Sequence, residues 1–279
     1  MDTTSAAQHS AEVAAGSRFH FGENWRQFLT HLNETRIAQA ETSLRKFLEQ
    51  DRLDGLTFLD IGSGSGLFSL AARRLGAKVF SFDYDPQSFG CTEHLRNKYF
   101  PGDANWHVEQ GSALDRDYVK SLGQFDIVYS WGVLHHTGHM WDAIDNAMQC
   151  VRPGGRCFIA IYNDQGVVSK RWLWVKQTFC KSSRPVQLLM LAYFFVALNW
   201  KPAVKGLLRG RPLEFWTGYD SSRGMNLWRD LEDWVGGLPF EVASSGELLA
   251  FFRKRGFTLE TLETTNTLGC NQLVFRKQA

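Results

Sequence analysis

From Thr57 to Tyr162 the chain alternates short apolar runs with stretches of helical spacing, and few folds accept that alternation. TFLDI (57–61), KVFSFD (78–83), WHVEQ (106–110), FDIVYSW (125–131) and RCFIAIY (156–162) have strand length. Between them, LFSLAARRL (67–75), PQSFGCTEHLRNKYF (86–100) and the segments 114–122 and 140–151 carry helical spacing. Pro86 suits a first helical turn, where its missing N–H costs nothing. Strand, helix, strand at this spacing predicts a doubly wound α/β fold, a mostly parallel sheet covered on both faces.

The remaining residues are arranged around that core. Residues 1–55 are expected to form a disordered lead-in and then an N-terminal helical cap, in which Trp25, Phe28, Leu32, Ile37, Leu44 and Leu48 keep a broken helical spacing. Residues 56–163 form the α/β core. The alternation then stops, and residues 164–244 read as a helical insertion after the fifth strand. It resumes at Ser244-Ser245-Gly246-Glu247, a capping-box spacing that opens a helix for Gly256 to end. Residues 245–279 complete the core with that helix and two strands, FTLETLE (257–263) and QLVFRK (272–277), joined as a hairpin.

Composition narrows the function. The 279 residues hold 31 Lys plus Arg against 29 Asp plus Glu, so no chain-wide basic field exists to hold nucleic acid. Five cysteines without a CxxC pair make neither a disulfide framework nor a zinc signature, and reduced cytoplasmic thiols are the simplest reading. The N-terminus has no basic region followed by an apolar stretch, so it does not read as a secretory signal. The most apolar run, Val186 to Leu198, has 13 residues, short of the roughly 20 that a spanning helix needs.

Chemistry concentrates in Asp60-Ile61-Gly62-Ser63-Gly64-Ser65-Gly66, between the first strand and the first helix of the alternation. Glycines there let a ligand approach the backbone. Their GxGxG spacing departs from the GxGxxG dinucleotide fingerprint. Asp60 would repel a diphosphate and is better matched to a ligand amine. Asp83, 17 residues after Gly66, stands where a carboxylate accepts hydrogen bonds from a ribose diol. Gly111-Ser112-Ala113, after the third strand, is placed to border a purine ring.

With FLDIGSGSG, FSFDYDP, EQGSALD, FDIVYSWGVLHH and VRPGGRCFIAIYN in this order, the chain resembles the class I S-adenosylmethionine-dependent methyltransferases, from about Thr57 to Tyr162 and again in the last helix and hairpin. The resemblance implies a Rossmann-like sheet and S-adenosyl-L-methionine as cofactor. It implies that Asp60 with Gly62, Ser63, Gly64 and Gly66 holds the amino-acid end. Asp83 and Tyr84 would hold the ribose, Ser112 and Ala113 the adenine edge, and Ser130 and Trp131 would flank the methionine portion. Many relatives have Asp where Ser112 stands. FGENW (21–25) and RGMNLWRDLEDWVGGLPFE (223–241) further resemble a subgroup of bacterial small-molecule methyltransferases.

Methyl transfer from a sulfonium is an in-line displacement, so alignment is most of the task. A base is needed only for a nucleophile that keeps a proton near neutral pH. His135 and His136 follow the fourth strand, at the sheet edge where ligands of open α/β sheets bind. Either is a candidate base; the alternative for His135 is to orient the loop. Adjacent histidines are expected to point apart, and with His139 and Asp142 they match no known metal spacing, so no metal is expected. Asp230 and Asp233 share a helix face, preceded by Arg223. They act on the substrate, with Gly236-Gly237 as hinge or stop, or they pair with Arg223 beside buried tryptophans.

Between Gln165 and Leu213 stand nine cations and no Asp or Glu, interleaved with aromatic residues. The segment suits a helical lid over the pocket, a membrane-surface contact with anionic lipid, or an anionic partner. A roofed, partly apolar pocket favours a small or lipid-like acceptor and disfavours nucleic acid. The expected location is the cytoplasm, with or without peripheral membrane contact. The alternatives are an enzyme that transfers or cyclises the aminocarboxypropyl arm of the same cofactor, and a non-catalytic cofactor-binding module.

Overall fold

The computed structural model describes residues 3–208 and 227–279. Three helices precede the sheet, α1 (Thr3–Ala14), α2 (Phe21–Thr30) and α3 (Glu34–Leu48). The alternation follows as β1 (Thr57–Ile61), α4 (Leu67–Arg74), β2 (Lys78–Asp83), α5 (Pro86–Tyr99), β3 (Trp106–Gln110), α6 (Arg116–Ser121), β4 (Phe125–Trp131), α7 (Met140–Gln149) and β5 (Val151–Tyr162). The insertion supplies α8 (Val167–Lys181), α9 (Arg184–Leu208) and α10 (Leu227–Gly236). The chain closes with α11 (Ser245–Arg253), β6 (Phe257–Glu263) and β7 (Cys270–Lys277).

Local chemistry sets many of these boundaries. Asp85 caps α5 by accepting from Gln87 N, with Pro86 in the first turn. Asp115 caps α6 in the same way through Tyr118 N. The capping box read from Ser244 and Glu247 is present at the start of α11. The strand read from Arg156 begins earlier, at Val151. A register shift against β4, between Phe125 and Ile127, lets the Pro153-Gly154-Gly155 turn bulge without ending the strand.

The seven strands lie in the order β3-β2-β1-β4-β5-β7-β6, with β7 antiparallel to its neighbours. Successive residues of a strand face opposite sides. On β1, Leu59 and Ile61 therefore join one core layer with Leu248, Phe252 and Phe275, while Phe58 joins the other with Leu44, Leu70 and Phe158. A third, smaller cluster of Phe179, Leu191, Leu231 and Val235 holds the insertion helices together. The chain runs from β1 outward to β3 and returns to β4 on the other side of β1. That reversal leaves a crevice at the carboxyl ends of β1 and β4, the ligand position of open α/β sheets.

The lead-in read as disordered is helical from Thr3 to Ala14. Its sequence lacks an apolar stripe of its own, and distant polar groups hold it instead. Tyr84 Oη donates to Glu12 Oε1 at 3.4 Å, and His9 Nε2 lies 3.6 Å from Asp85 Oδ2.

Candidate active site

A cavity of about 1540 Å³ occupies the crevice. Ligand pockets commonly span about 300–1,000 Å³, so this one has room for a cofactor and an acceptor side by side. Its floor is the loop between β1 and α4. Gly62, Gly64 and Gly66 all have positive φ (73°, 56° and 79°), which side chains rarely adopt. A Cβ at Gly62 would lie 2.3 Å from Val133 Cγ1, and one at Gly64 would lie 3.1 Å from the Trp25 indole. Ser63 turns away from the floor, its hydroxyl 2.8 Å from that of Thr92.

Two carboxyl groups face this floor. Asp60 accepts from Ser69 Oγ at 2.5 Å; Ser69 meets Ser81 Oγ at 2.7 Å, and Trp106 Nε1 donates to Ser81 at 3.0 Å. Because an indole nitrogen only donates, the chain of protons runs one way, from Trp106 towards Asp60. Burial outweighs the hydrogen bonds from the Ser69 hydroxyl and backbone N–H and pushes the Asp60 carboxyl up to about 7. Asp83 takes one backbone N–H on each oxygen, from Gly64 at 2.8 Å and Asp85 at 2.9 Å. Burial first, and the neighbouring Asp85 next, raise it to about 7 as well. A second lone pair on each Asp83 oxygen is left for a diol, and an ammonium beside Asp60 would restore its charge. Both residues therefore fit the cofactor implied by the motifs.

The other motif residues divide. Tyr84 lines the cavity under the Arg18 guanidinium, 5.0 Å from its ring centre. Ser112 and Ala113 line it too, but Ser112 Oγ accepts from Leu114 N at 3.2 Å, a turn within its own loop. Trp131 is on the wall and donates from Nε1 to Gln272 at 2.9 Å. Ser130 is buried and donates to Ile61 O at 2.9 Å, so it fastens β4 to β1.

The two histidines have different environments. His136 lines the cavity; its Nδ1–H donates to Pro239 O at 2.6 Å, which leaves the Nε2 lone pair as acceptor. Burial lowers its pKa to about 3, so it stays neutral in ordinary buffers. His135 is fully buried behind it and accepts from Tyr162 N at 3.3 Å on Nδ1. Its Nε2–H has no hydrogen-bond partner among the described residues. The rings do not point apart as expected: a short 3₁₀ turn over Leu134–His136 brings their centres to 4.5 Å.

Of the insertion carboxylates, Asp233 lines the cavity and accepts from Asn24 Nδ2. Asp230 lies on α10 with its side chain outside the described residues, and Arg223 lies outside them entirely. Gly236 ends α10, and Gly237 follows where a Cβ would lie 2.7 Å from Asp233 O and 3.4 Å from His136 Cε1. No side chain fits between those walls. Lys176, fully buried on α8, donates to Trp234 O and lies 4.9 Å and 4.8 Å from the Trp234 and Phe240 ring centres. Burial lowers it to about 7.

The segment with the most reach into the site is FGENW (21–25), for which the sequence supplied no chemistry. The Phe21 ring lies 4.8 Å from His136, Gly22 N donates to Asp85 Oδ2 at 2.8 Å, Asn24 holds Asp233 and Trp25 covers Gly64. Four neighbouring residues thus touch the two halves of the cavity. The only signal was their density of aromatic and polar residues ahead of a helix.

The sheet order and the glycine loop at the carboxyl end of β1 are those of the doubly wound class of α/β proteins. The chain belongs to the methyltransferase-domain family, whose profile matches residues 32–262, and its fold is that of the class I S-adenosylmethionine-dependent methyltransferases. It is 32% identical over 112 residues to a ubiquinone biosynthesis O-methyltransferase of Rhizobium etli, covering 40% of this chain and 43% of that protein. It is 35% identical over 104 residues to a tRNA U34 carboxymethyltransferase of Methylococcus capsulatus, covering 37% and 31%. The chain thus spans less than half the length of the curated relatives it matches. The crystal structure of a Synechocystis magnesium protoporphyrin IX methyltransferase with bound S-adenosylhomocysteine superposes with a TM-score of 0.54 at 12% identity, over 92% of this chain and 94% of that one. At that identity the likeness is one of fold.

Proposed function

We propose that this methyltransferase acts on a small, lipid-like acceptor carrying a hydroxyl or comparable protonated nucleophile. The observation that carries the reading is the division of the cavity: glycine loop, Asp83 and Tyr84 on one side, and Phe21, Trp25, Tyr162, Leu231 and Trp234 with His136 and Asp233 on the other. S-Adenosylmethionine supplies an electrophilic methyl on a sulfonium. Asp60 and Asp83 bind and orient it, and Trp25 shields the glycine loop from water.

The apolar wall holds the body of the acceptor by burial, at about 25 cal/mol per Å². His136 Nε2 accepts a hydrogen bond from the bound acceptor and so orients it, leaving the proton of the attacking hydroxyl for Asp233; a ring that titrates near 3 orients better than it stores a proton. The Asp233 carboxylate, fixed by Asn24, is placed to take up the proton. The insertion acts as a lid: Leu231, Asp233 and Trp234 of α10 and Leu198 of α9 line the same cavity as the glycine loop, which supports that reading. Peripheral contact with a membrane goes with such an acceptor. The ubiquinone-pathway relative is named for O-methylation, which agrees with a hydroxyl nucleophile.

The test is incubation with methyl-labelled S-adenosylmethionine and a panel of phenolic lipids, soluble phenols, peptides and tRNA. Label in the phenolic lipids with release of S-adenosylhomocysteine is expected. Label in tRNA or peptide alone, or methylthioadenosine as product, would overturn the reading.

A further inference from the structure

The helix α9 is apolar on the face that packs inward, and also on the face that does not. Its inward side sets Leu191, Phe194 and Phe195 against α8 and α10. At 100° per residue, the opposite side carries Pro185, Val186, Leu189, Ala192, Tyr193, Val196, Ala197 and Val204 in one stripe, without a charge. These side chains are exposed: Leu189 71%, Tyr193 67% and Val196 64%. A helix apolar all round belongs in a core or in lipid. No described helix is long and apolar enough to cross a membrane, so the stripe is not a span.

Charge identifies what covers it. The stretch from Gln165 to Leu213 holds nine cations and no acid, against a chain total of +2. Lys170, Arg171 and Lys181 on α8 and Lys205 on α9 are exposed and form no ion pair among the described residues, while Trp174 on α8 is 66% exposed beside the first two in sequence. Protein interfaces of this kind carry about one hydrogen bond per 100–200 Å², and this stripe, which also includes Trp200, holds only two side-chain polar groups, the Tyr193 hydroxyl and the Trp200 indole N–H. A lipid surface asks for none, and cations with aromatic residues around an apolar stripe are the pattern of an interfacial helix.

We propose that the outward face of α9 seats in the surface of an anionic membrane, with α8 supplying cations to the headgroups. This deepens the peripheral contact suggested above and rests on that reading. Leu198 and Asn199 of the same helix line the cavity. The helix therefore separates the lipid from the acceptor site, and a lipid-like acceptor reaches the cavity past those two residues.

The experiment is co-sedimentation of the full chain with phosphatidylglycerol–phosphatidylcholine vesicles and with pure phosphatidylcholine vesicles, at low and high salt, beside methyl transfer to a soluble phenol. Binding to the anionic vesicles, weakened by salt, is expected. A Leu189→Asp/Tyr193→Glu/Val196→Asp variant loses binding by roughly 100-fold or more, and Lys170→Glu/Arg171→Glu loses roughly 30-fold or more. In both, melting temperature and transfer to the soluble phenol remain those of the parent chain. No binding of the parent chain to anionic vesicles, or equal binding by the triple variant, would overturn the proposal. So would light scattering showing a parent dimer and a monomeric triple variant, which would give the stripe to a second copy. If vesicles bind and no acceptor is methylated, the proposed acceptor fails while the membrane face stands.

Discussion

The two halves of the cavity are built by different means. The cofactor half is made of loops at the ends of adjacent strands, and short-range backbone geometry dictates it. The acceptor half is assembled from α2, the turn after β4, and α10, elements separated by as many as 209 residues in the Asn24–Asp233 hydrogen bond. The first half presents a glycine-rich backbone and buried carboxyls; the second presents aromatic faces and one neutral histidine.

The largest effect that could break the comparison is at Asp83. Asp83→Ala removes both acceptors for the ribose diol and should weaken S-adenosylmethionine binding roughly 1,000-fold, read by calorimetry. Retained affinity would mean that the acceptor half also holds the cofactor. A pH titration is the next largest. Asp60 and Asp83 are raised to about 7, so each is protonated progressively as pH falls below that value. Cofactor affinity should drop about 50-fold between pH 7 and 5 for one essential carboxylate. The acceptor KM should show no His136 titration from pH 9 to 5, because that ring charges only near 3, and a break near 7 would report Lys176 behind Trp234.

Asn24→Ala frees the Asp233 carboxylate and should raise the acceptor KM about tenfold with cofactor affinity unchanged. An equal fall in both would place α2 in the cofactor half. Smallest is Ser244→Ala, which removes the side-chain cap of α11. A loss of about 1 kcal/mol is expected, seen as a melting shift of about 2–4 °C, with neither KM altered.

The cofactor half was legible because its signals are local. A glycine that must take positive φ, a carboxyl that ends a strand and a proline in a first helical turn all report on their own neighbourhood. Ser130 was the exception: it sits in a motif, yet its hydroxyl ties two strands together, since alternation along β4 turns it inward. The acceptor half was legible only as composition. Nothing in FGENW states that Asn24 meets Asp233, and nothing around Lys176 states that it will be buried under Trp234 and Phe240.

The sequence by itself determined the alternation, the glycine loop, the two carboxyls and the placement of a late helical insertion, because each follows from periodicity or from backbone dihedrals within a few residues. Only the tertiary structure decided that the lead-in would be a helix, that the adjacent histidine rings would lie 4.5 Å apart, tilted to one another, that His136 and not His135 would face the cavity, and that α9 would turn an uncharged stripe outward. Those outcomes depend on which surfaces meet across long stretches of chain, and burial, unlike backbone preference, has no local signature.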